Sequence, residues 1–125
     1  MPNEWKAWCR AESDLTVRGD VVEVKLPDSR SHRVTVESGD DGLTLTARIA
    51  TRGAMANVDD AELLVWERNR ATQLVGFRID KLDLLIGEAW VPAAGLTAAE
   101  LVFYVRHLAA ECDRLEALLT GLDVE

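Results

Sequence analysis

The chain has 125 residues, of which 48% are hydrophobic and 29% charged. A chain of this length can bury a hydrophobic core, and this composition is too apolar for a disordered segment. We therefore expect a single domain over residues 1–125. Fourteen lysines and arginines against 22 aspartates and glutamates give a net charge of −8 at pH 7. This charge repels phosphate backbones and anionic membranes, which excludes nucleic acid and membrane surfaces as expected partners. No secretory leader pattern and no apolar stretch of about 18 residues occurs, so we expect a cytoplasmic protein.

The residues that usually carry chemistry form no recognisable pattern. Cys9 and Cys112 are far apart and belong to no metal-ligand spacing, and neither His32 nor His107 stands beside a Ser, Cys or carboxylate in a recognisable nucleophile pattern. The eight glycines are single, and we interpret them as turn residues rather than as a phosphate loop. We therefore expect no catalytic residue, no metal site and no cofactor. The cysteines should be small, reduced core residues, with a disulfide between the two ends of the chain as the alternative.

The first predicted element is a short helix capped by Asn3. Trp5, Trp8 and Cys9 recur at intervals of three and four residues, which places them on one helix face. Because so short a helix is marginal alone, its two indoles must pack somewhere. They either close over the core of the domain or lie in a contact with another subunit or partner.

Three strands should follow, because apolar side chains now recur at every second residue. Residues 21–26, 32–37 and 43–49 alternate apolar with polar side chains. Turns are predicted between them at 27–30, which begins with Pro27, and at 39–42, which is bounded by two glycines. The first half is therefore predicted to be a three-stranded antiparallel meander.

The second half should begin with a connection at 51–58 and a helix from Asp59, paired with Glu62 as in a capping box, to about Gln73. Alternation then predicts strands at 75–80 and 84–90, joined as a hairpin and ended by Pro92.

The last helix is the strongest prediction from local sequence. Thr97 and Glu100 form a capping box, and no glycine or proline follows before Gly121, which should end the helix. Its apolar residues step by four and three: Leu101, Val105, Leu108, Cys112, Leu115, Leu119 and Leu122. This seam either packs on the sheet or contributes in part to a helix-to-helix dimer contact.

The order of these elements resembles that of the YbjN-like and type III secretion chaperone-like families of bacteria. The segment 64–70 followed by 75–80, and the leucine-rich segment 111–119, are similar to the corresponding parts of those families. The resemblance implies an α+β fold of order α-β-β-β-α-β-β-α, with helices packed on a five-stranded antiparallel sheet. It also implies a homodimer without enzymatic activity. Secretion chaperones of this fold hold an extended segment of a client protein against apolar grooves.

Our leading hypothesis is a non-catalytic, chaperone-like module that binds a client or partner protein, since four tryptophans exceed what a small core needs and Trp is common in binding hot spots. The interaction candidates are Trp5, Trp8, Trp66 and Trp90, with Leu101, Val105 and Leu108 of the last helix. An exposed sheet edge could also add a partner strand. The alternative is a small-ligand sensor or degenerate enzyme, whose pocket would draw on Arg48, Arg78, Glu88 and His107. A structural subunit or a toxin-immunity partner is a third possibility.

Overall fold

Six antiparallel strands form one sheet in the computed structural model, which describes residues 4–50 and 60–124. The strands are β1 (Leu15–Arg18), β2 (Val21–Lys25), β3 (Ser31–Ser38), β4 (Gly42–Ala50), β5 (Gly76–Ile79) and β6 (Leu85–Pro92). The helices are α1 (Glu4–Arg10), α2 (Ala61–Ala71) and α3 (Ala98–Val124). Across the sheet the strands lie in the order β1-β2-β3-β4-β6-β5.

The predicted meander and hairpin are confirmed, and the strand count is six rather than five. The additional strand is β1, which pairs with β2 from Leu15–Val24 to Arg18–Val21. A two-residue turn joins the two strands, and Gly19 in it has a φ of 60°, a conformation that glycine adopts at little cost. Only Leu15 and Val17 point inward from β1, which is too short an alternation to predict a strand.

Alternate residues of the strands and the seam of α3 form the core. Leu101, Val105, Leu108, Cys112, Leu115 and Leu119 are all buried, so the seam packs on the sheet. The helix continues past Gly121 to Val124, which corrects the predicted end. A glycine costs a helix only about 1 kcal/mol. The side chain of Leu122 lies outside the described residues.

The helices occupy one face and one edge of the sheet. α3 contacts β2, β3, β4 and β6, whereas α1 lies against β1 and α3. α2 packs beside the edge strand β5 and has no buried residue. It ends at Ala71, two residues before the predicted end. The predicted caps Asn3 and Asp59 and the connection 51–58 lie outside the described residues.

Gly87 lies in the middle of β6 and is not a turn residue, which corrects the interpretation of the glycines. A β-carbon at this position would collide with Sγ of Cys112 and would lie 3.3 Å from Cδ1 of Leu108. The glycine therefore allows α3 to approach the sheet closely. Both cysteines are free and buried, so the alternative of a disulfide is not realised.

Candidate protein-binding surfaces

The four tryptophans divide into two buried or half-buried side chains and two exposed ones. Trp5 is 2% exposed and belongs to the core, and Trp8 is half-buried against it. By contrast, Trp66 on α2 is 55% exposed and Trp90 on β6 is 58% exposed. The indoles of α1 therefore close over the domain's own core, and those of α2 and β6 remain at the surface.

The three candidates on the last helix are fully buried. Leu101, Val105 and Leu108 have no exposed surface and contact the sheet. Their placement in the core removes them from any surface that the folded monomer could offer to a partner.

A different part of α3 carries an apolar depression, which we call the α3 groove. The groove has a volume of about 330 Å³. It is lined by Leu74, Ala99, Glu100, Phe103 and Tyr104. Phe103 is 51% exposed and Leu74 is 55% exposed, and neither residue is among the interaction candidates predicted from the sequence. Single exposed apolar side chains are ordinary, but a contiguous group around a depression is typical of a binding site.

The walls of the α3 groove are held by local contacts. Leu74 has a φ of 68°, a left-handed conformation that is unfavourable for any residue with a β-carbon and is retained only under constraint from its surroundings. Nε2 of His107 lies 2.9 Å from the carbonyl oxygen of Gln73, next to Leu74. The ring of Phe103 stacks on that of His107 with centroids 5.4 Å apart. His107 thus holds both the ring of Phe103 and the backbone next to Leu74.

The start of α3, beside the groove, is fixed by the predicted capping box. The backbone N–H of Glu100 donates to Oγ1 of Thr97 at 3.2 Å, and the Thr97 hydroxyl donates to Oε1 of Glu100 at 2.9 Å. Because Glu100 lines the groove, this cap also places a carboxylate at its rim.

The outward face of α2 is a second apolar surface. Leu63 and Trp66 lie three residues apart on the side of the helix that faces away from the sheet, and Leu63 is 46% exposed. The guanidinium of Arg70 lies 4.8 Å from the ring centroid of Trp66, a cation–π contact that orients the indole. The inward side of α2 is only partly buried, through Ala61, Leu64 and Val65.

Polar contacts hold α2 against the rest of the domain. The side chain of Asn69 donates to the carbonyl oxygen of Phe77 at 3.0 Å and accepts its backbone N–H at 2.7 Å. This amide therefore takes the place of a neighbouring strand along the outer edge of β5. Arg68 contacts the buried carboxylate of Glu111 on α3 at 3.5 Å, and Arg114 donates to the same carboxylate at 2.6 Å.

A further clamp joins α3 to the connection between α1 and β1. The guanidinium of Arg106 donates to both carboxylate oxygens of Asp14 at 2.9 and 2.7 Å and to Glu12 at 2.8 Å. These hydrogen bonds hold the pKa of Asp14 below its ordinary value.

Three of the four residues proposed for a small-ligand pocket lie on one face of the sheet, and the fourth, His107, lies apart from them. Arg78 forms an ion pair with Glu88 at 3.2 Å on the face of the sheet that points away from α3. Arg48 lies on that same face, whereas His107 lies on α3 and contacts Gln73. Burial raises the pKa of the Cys9 thiol to about 11 and that of Cys112 to about 12, so neither thiol is activated.

No group of three or more His, Cys, Asp or Glu side chains within 4–50 and 60–124 has a metal-binding arrangement. Within the same ranges, no helix combines the length and apolar character needed to span a bilayer.

Comparisons with known proteins support the fold through structure rather than sequence. No protein-family model and no curated protein matches the sequence. A chain in the heterodimeric ExoU–SpcU complex of the Pseudomonas aeruginosa type III secretion system matches with a TM-score of 0.62 and 15% identity, over 94% of this chain and 97% of that one. The chain has the type III secretion chaperone-like fold.

Two further structures share this fold. YbjN, a putative transcription regulator from E. coli, matches with a TM-score of 0.60 and 12% identity, covering 95% of this chain and 88% of that chain. The Yersinia pestis type III secretion chaperone SycH, in complex with a fragment of YscM2, matches with a TM-score of 0.51 and 9% identity, covering 94% and 98%. The predicted α+β architecture and the resemblance to these proteins are thus confirmed at the level of the fold.

Proposed function

We propose that this chain is a non-catalytic, chaperone-like module of the cytoplasm that holds a partner protein, and that the α3 groove binds apolar side chains of that partner. The observation that carries the proposal is the joint exposure of Leu74 and Phe103 around a depression of about 330 Å³. A depression of this size accepts one or two apolar side chains of a protein segment. Two of the similar structures, ExoU–SpcU and SycH with its YscM2 fragment, are themselves protein complexes.

The geometry favours holding over catalysis. The ionisable residues on the uncovered sheet face are partly paired with one another, as Arg78 is with Glu88 at 3.2 Å. The two thiols are buried and have raised pKa values. An enzyme requires an activated group beside a cavity that receives the substrate, and the α3 groove offers only Glu100, which accepts a hydrogen bond from the Thr97 hydroxyl, and the phenol of Tyr104.

The proposal includes a homodimer formed through the outward face of α2. Leu63 and Trp66 are exposed there, and Trp66 is already oriented by Arg70. Indole side chains of this kind are frequent hot spots in protein interfaces. A stable interface buries roughly 800 Å² on each subunit, so the two side chains would form its centre and neighbouring residues its rim.

The test is affinity purification of the tagged full-length chain from its native cell. Phe103→Glu places a charge in the groove, and Leu82→Glu is the matched control because Leu82 is 63% exposed in the turn before β6, away from the groove. We expect the unmodified chain and Leu82→Glu to recover the same stoichiometric protein, and Phe103→Glu to recover at least tenfold less.

Three results would contradict the proposal. The unmodified chain could purify without a stoichiometric partner, or Leu82→Glu could lose the partner as fully as Phe103→Glu. Turnover of a metabolite by the pure protein would refute the non-catalytic role.

A further inference from the structure

The face of the sheet that no described helix covers, which we call the open face, is opposite in charge to the chain as a whole. Its basic side chains alternate with core residues along five strands: Arg18, Lys25, Arg33, Arg48 and Arg78. Its acidic side chains are Glu23, Glu37 and Glu88. The open face therefore has a net charge of +2 in a chain of −8, which leaves −10 for all other residues.

On the open face, Arg48 forms no ion pair with a described carboxylate, although its charge interacts with that of Asp80 in the turn before β6. Arg48 lies at the centre of the sheet, where its Cα pairs with that of Ile86, and Ile86 in turn pairs with Arg78. Arg78 is bound to Glu88 at 3.2 Å, and Arg33 lies 3.9 Å from Glu23. Arg48 has no ion pair with any carboxylate in the described part of the chain.

A polar cavity of about 470 Å³ adjoins Arg48. Its lining combines guanidinium groups and hydroxyls with one imidazole and one carboxylate: Ser31, His32, Arg33, Thr35, Arg48 and Glu116. His32 is only 6% exposed, and its Nε2 lies 3.0 Å from the carbonyl oxygen of Arg48, which fixes the backbone that carries the guanidinium. Two guanidinium groups beside hydroxyls are suited to bind a carboxylate.

Trp90 supplies an apolar anchor on the same face. It is 58% exposed and its Cα pairs with that of Thr44. Trp90 lies four residues along β6 from Ile86, the partner of Arg48, so the Cα atoms of Trp90 and Arg48 are offset by about 13 Å along the strand direction. An extended protein segment of four or five residues spans that distance.

We infer that the open face binds a short acidic segment of a partner protein, with a carboxylate at Arg48 and an apolar side chain at Trp90. The inference rests on the proposed function and names the chemistry of the partner. A long polyanion such as nucleic acid fits less well, because carboxylates are interspersed among the arginines and the rest of the chain carries −10.

Fluorescence anisotropy of labelled twelve-residue peptides tests this inference with the full chain. We expect a peptide of alternating glutamate and serine to bind at 50 mM salt, and its lysine counterpart not to bind. Arg48→Glu should weaken binding at least tenfold. Arg10→Glu makes the same change in net charge at an exposed position on α1 and should alter affinity less than twofold. Because screening shortens the range of charge interactions, 300 mM salt should weaken binding severalfold.

Several outcomes would overturn the inference. These are no binding of the glutamate peptide, equal weakening by Arg10→Glu and Arg48→Glu, or tighter Arg48-dependent binding of a 12-base-pair DNA duplex than of the peptide. The Phe103→Glu chain separates this inference from the proposed function. It should bind the peptide normally while losing the native partner, and a glutamate peptide that fails to bind leaves the groove experiment unaffected.

Discussion

Gly87 shows at the scale of a single residue how close α3 comes to the sheet. A methyl group there would collide with Sγ of Cys112, so Gly87→Ala should lower the free energy of unfolding by about 1–3 kcal/mol. Cys112→Ala removes the colliding atom, and the double variant should be less destabilised than the sum of the two single variants. Urea unfolding measures all three.

Gly76→Ala is the control for this cycle, because a β-carbon at Gly76 would have no neighbour within 4 Å. It should be close to neutral or mildly stabilising. Additive effects of Gly87→Ala and Cys112→Ala would show that the thiol does not limit the space at Gly87.

Arg106 gives a prediction on pH dependence. Arg106→Gln removes the donors to Asp14 and Glu12 and should cost on the order of 1 kcal/mol at pH 7, since exposed ion pairs are screened by solvent. The pKa of Asp14 is lower in the folded protein than in the unfolded chain. This stabilisation is therefore fully present above the pKa of Asp14 in the unfolded chain, and it is lost as the pH falls through the pKa of Asp14 in the folded protein. Urea unfolding should show a smaller difference between the two chains at pH 2.5 than at pH 7.

Arg10→Gln on α1 provides the comparison, because Arg10 has no ion pair with a described carboxylate. It should change stability little at either pH. An undiminished effect of Arg106→Gln at pH 2.5 would mean that the guanidinium acts through packing and not through the carboxylates.

At the scale of elements, the attachment of α2 depends on Asn69. Asn69→Ala leaves the N–H and carbonyl of Phe77 without their side-chain partner, which typically costs 1–3 kcal/mol for partly buried groups. Because α2 has no buried residue, we expect the loss to appear as local opening. Amide hydrogen exchange should become faster in α2 and β5 and remain unchanged in α3.

Glu67→Ala, on the exposed side of the same helix, should leave exchange in β5 unchanged. Equal acceleration throughout the protein in Asn69→Ala would indicate a loss of global stability and would contradict the local role of the amide.

Most elements could be predicted from sequence because their apolar periods were long. The seam of α3 has six described members, all buried, and β3 and β4 each have three or more inward positions. The two inward residues of β2, Val22 and Val24, are followed at the same spacing by the partly buried Leu26. β1 has only two, so its pairing with β2 decides its structure rather than its own pattern. For α2, Leu63 and Leu64 are adjacent and point in different directions, and the contacts of Asn69 and Arg68 determine which side faces inward.

The candidate site was predictable only in part. Trp66 and Trp90 are exposed, as expected because four tryptophans exceed what a small core needs. Trp5, by contrast, is buried in the core, together with Leu101, Val105 and Leu108. Phe103 lies beside the seam of α3, and Leu74 follows α2 in a left-handed conformation. Their proximity arises from tertiary packing between segments about 30 residues apart, and no local period in the sequence encodes it.

For the whole molecule, the first prediction concerns self-association. Light scattering with sedimentation should give twice the mass of the chain, and Trp66→Ala should shift the protein towards monomer, because it removes the centre of the proposed interface. Trp90→Ala serves as the control, since Trp90 is equally exposed but lies on the open face. A strict monomer at high concentration, or equal effects of the two substitutions, would contradict a dimer through α2.

The central claim, that the α3 groove holds a partner protein, is tested most directly by hydroxyl-radical footprinting of the purified complex. This method reports the solvent exposure of individual side chains. In the free protein Phe103 and Leu74 should be modified readily, since about half of each side chain is exposed, and Leu82 provides an internal reference at 63%. We predict that the partner reduces modification of Phe103 and Leu74 at least fivefold and leaves Leu82 unchanged. Unchanged modification of Phe103 and Leu74 in a stoichiometric complex would contradict the account.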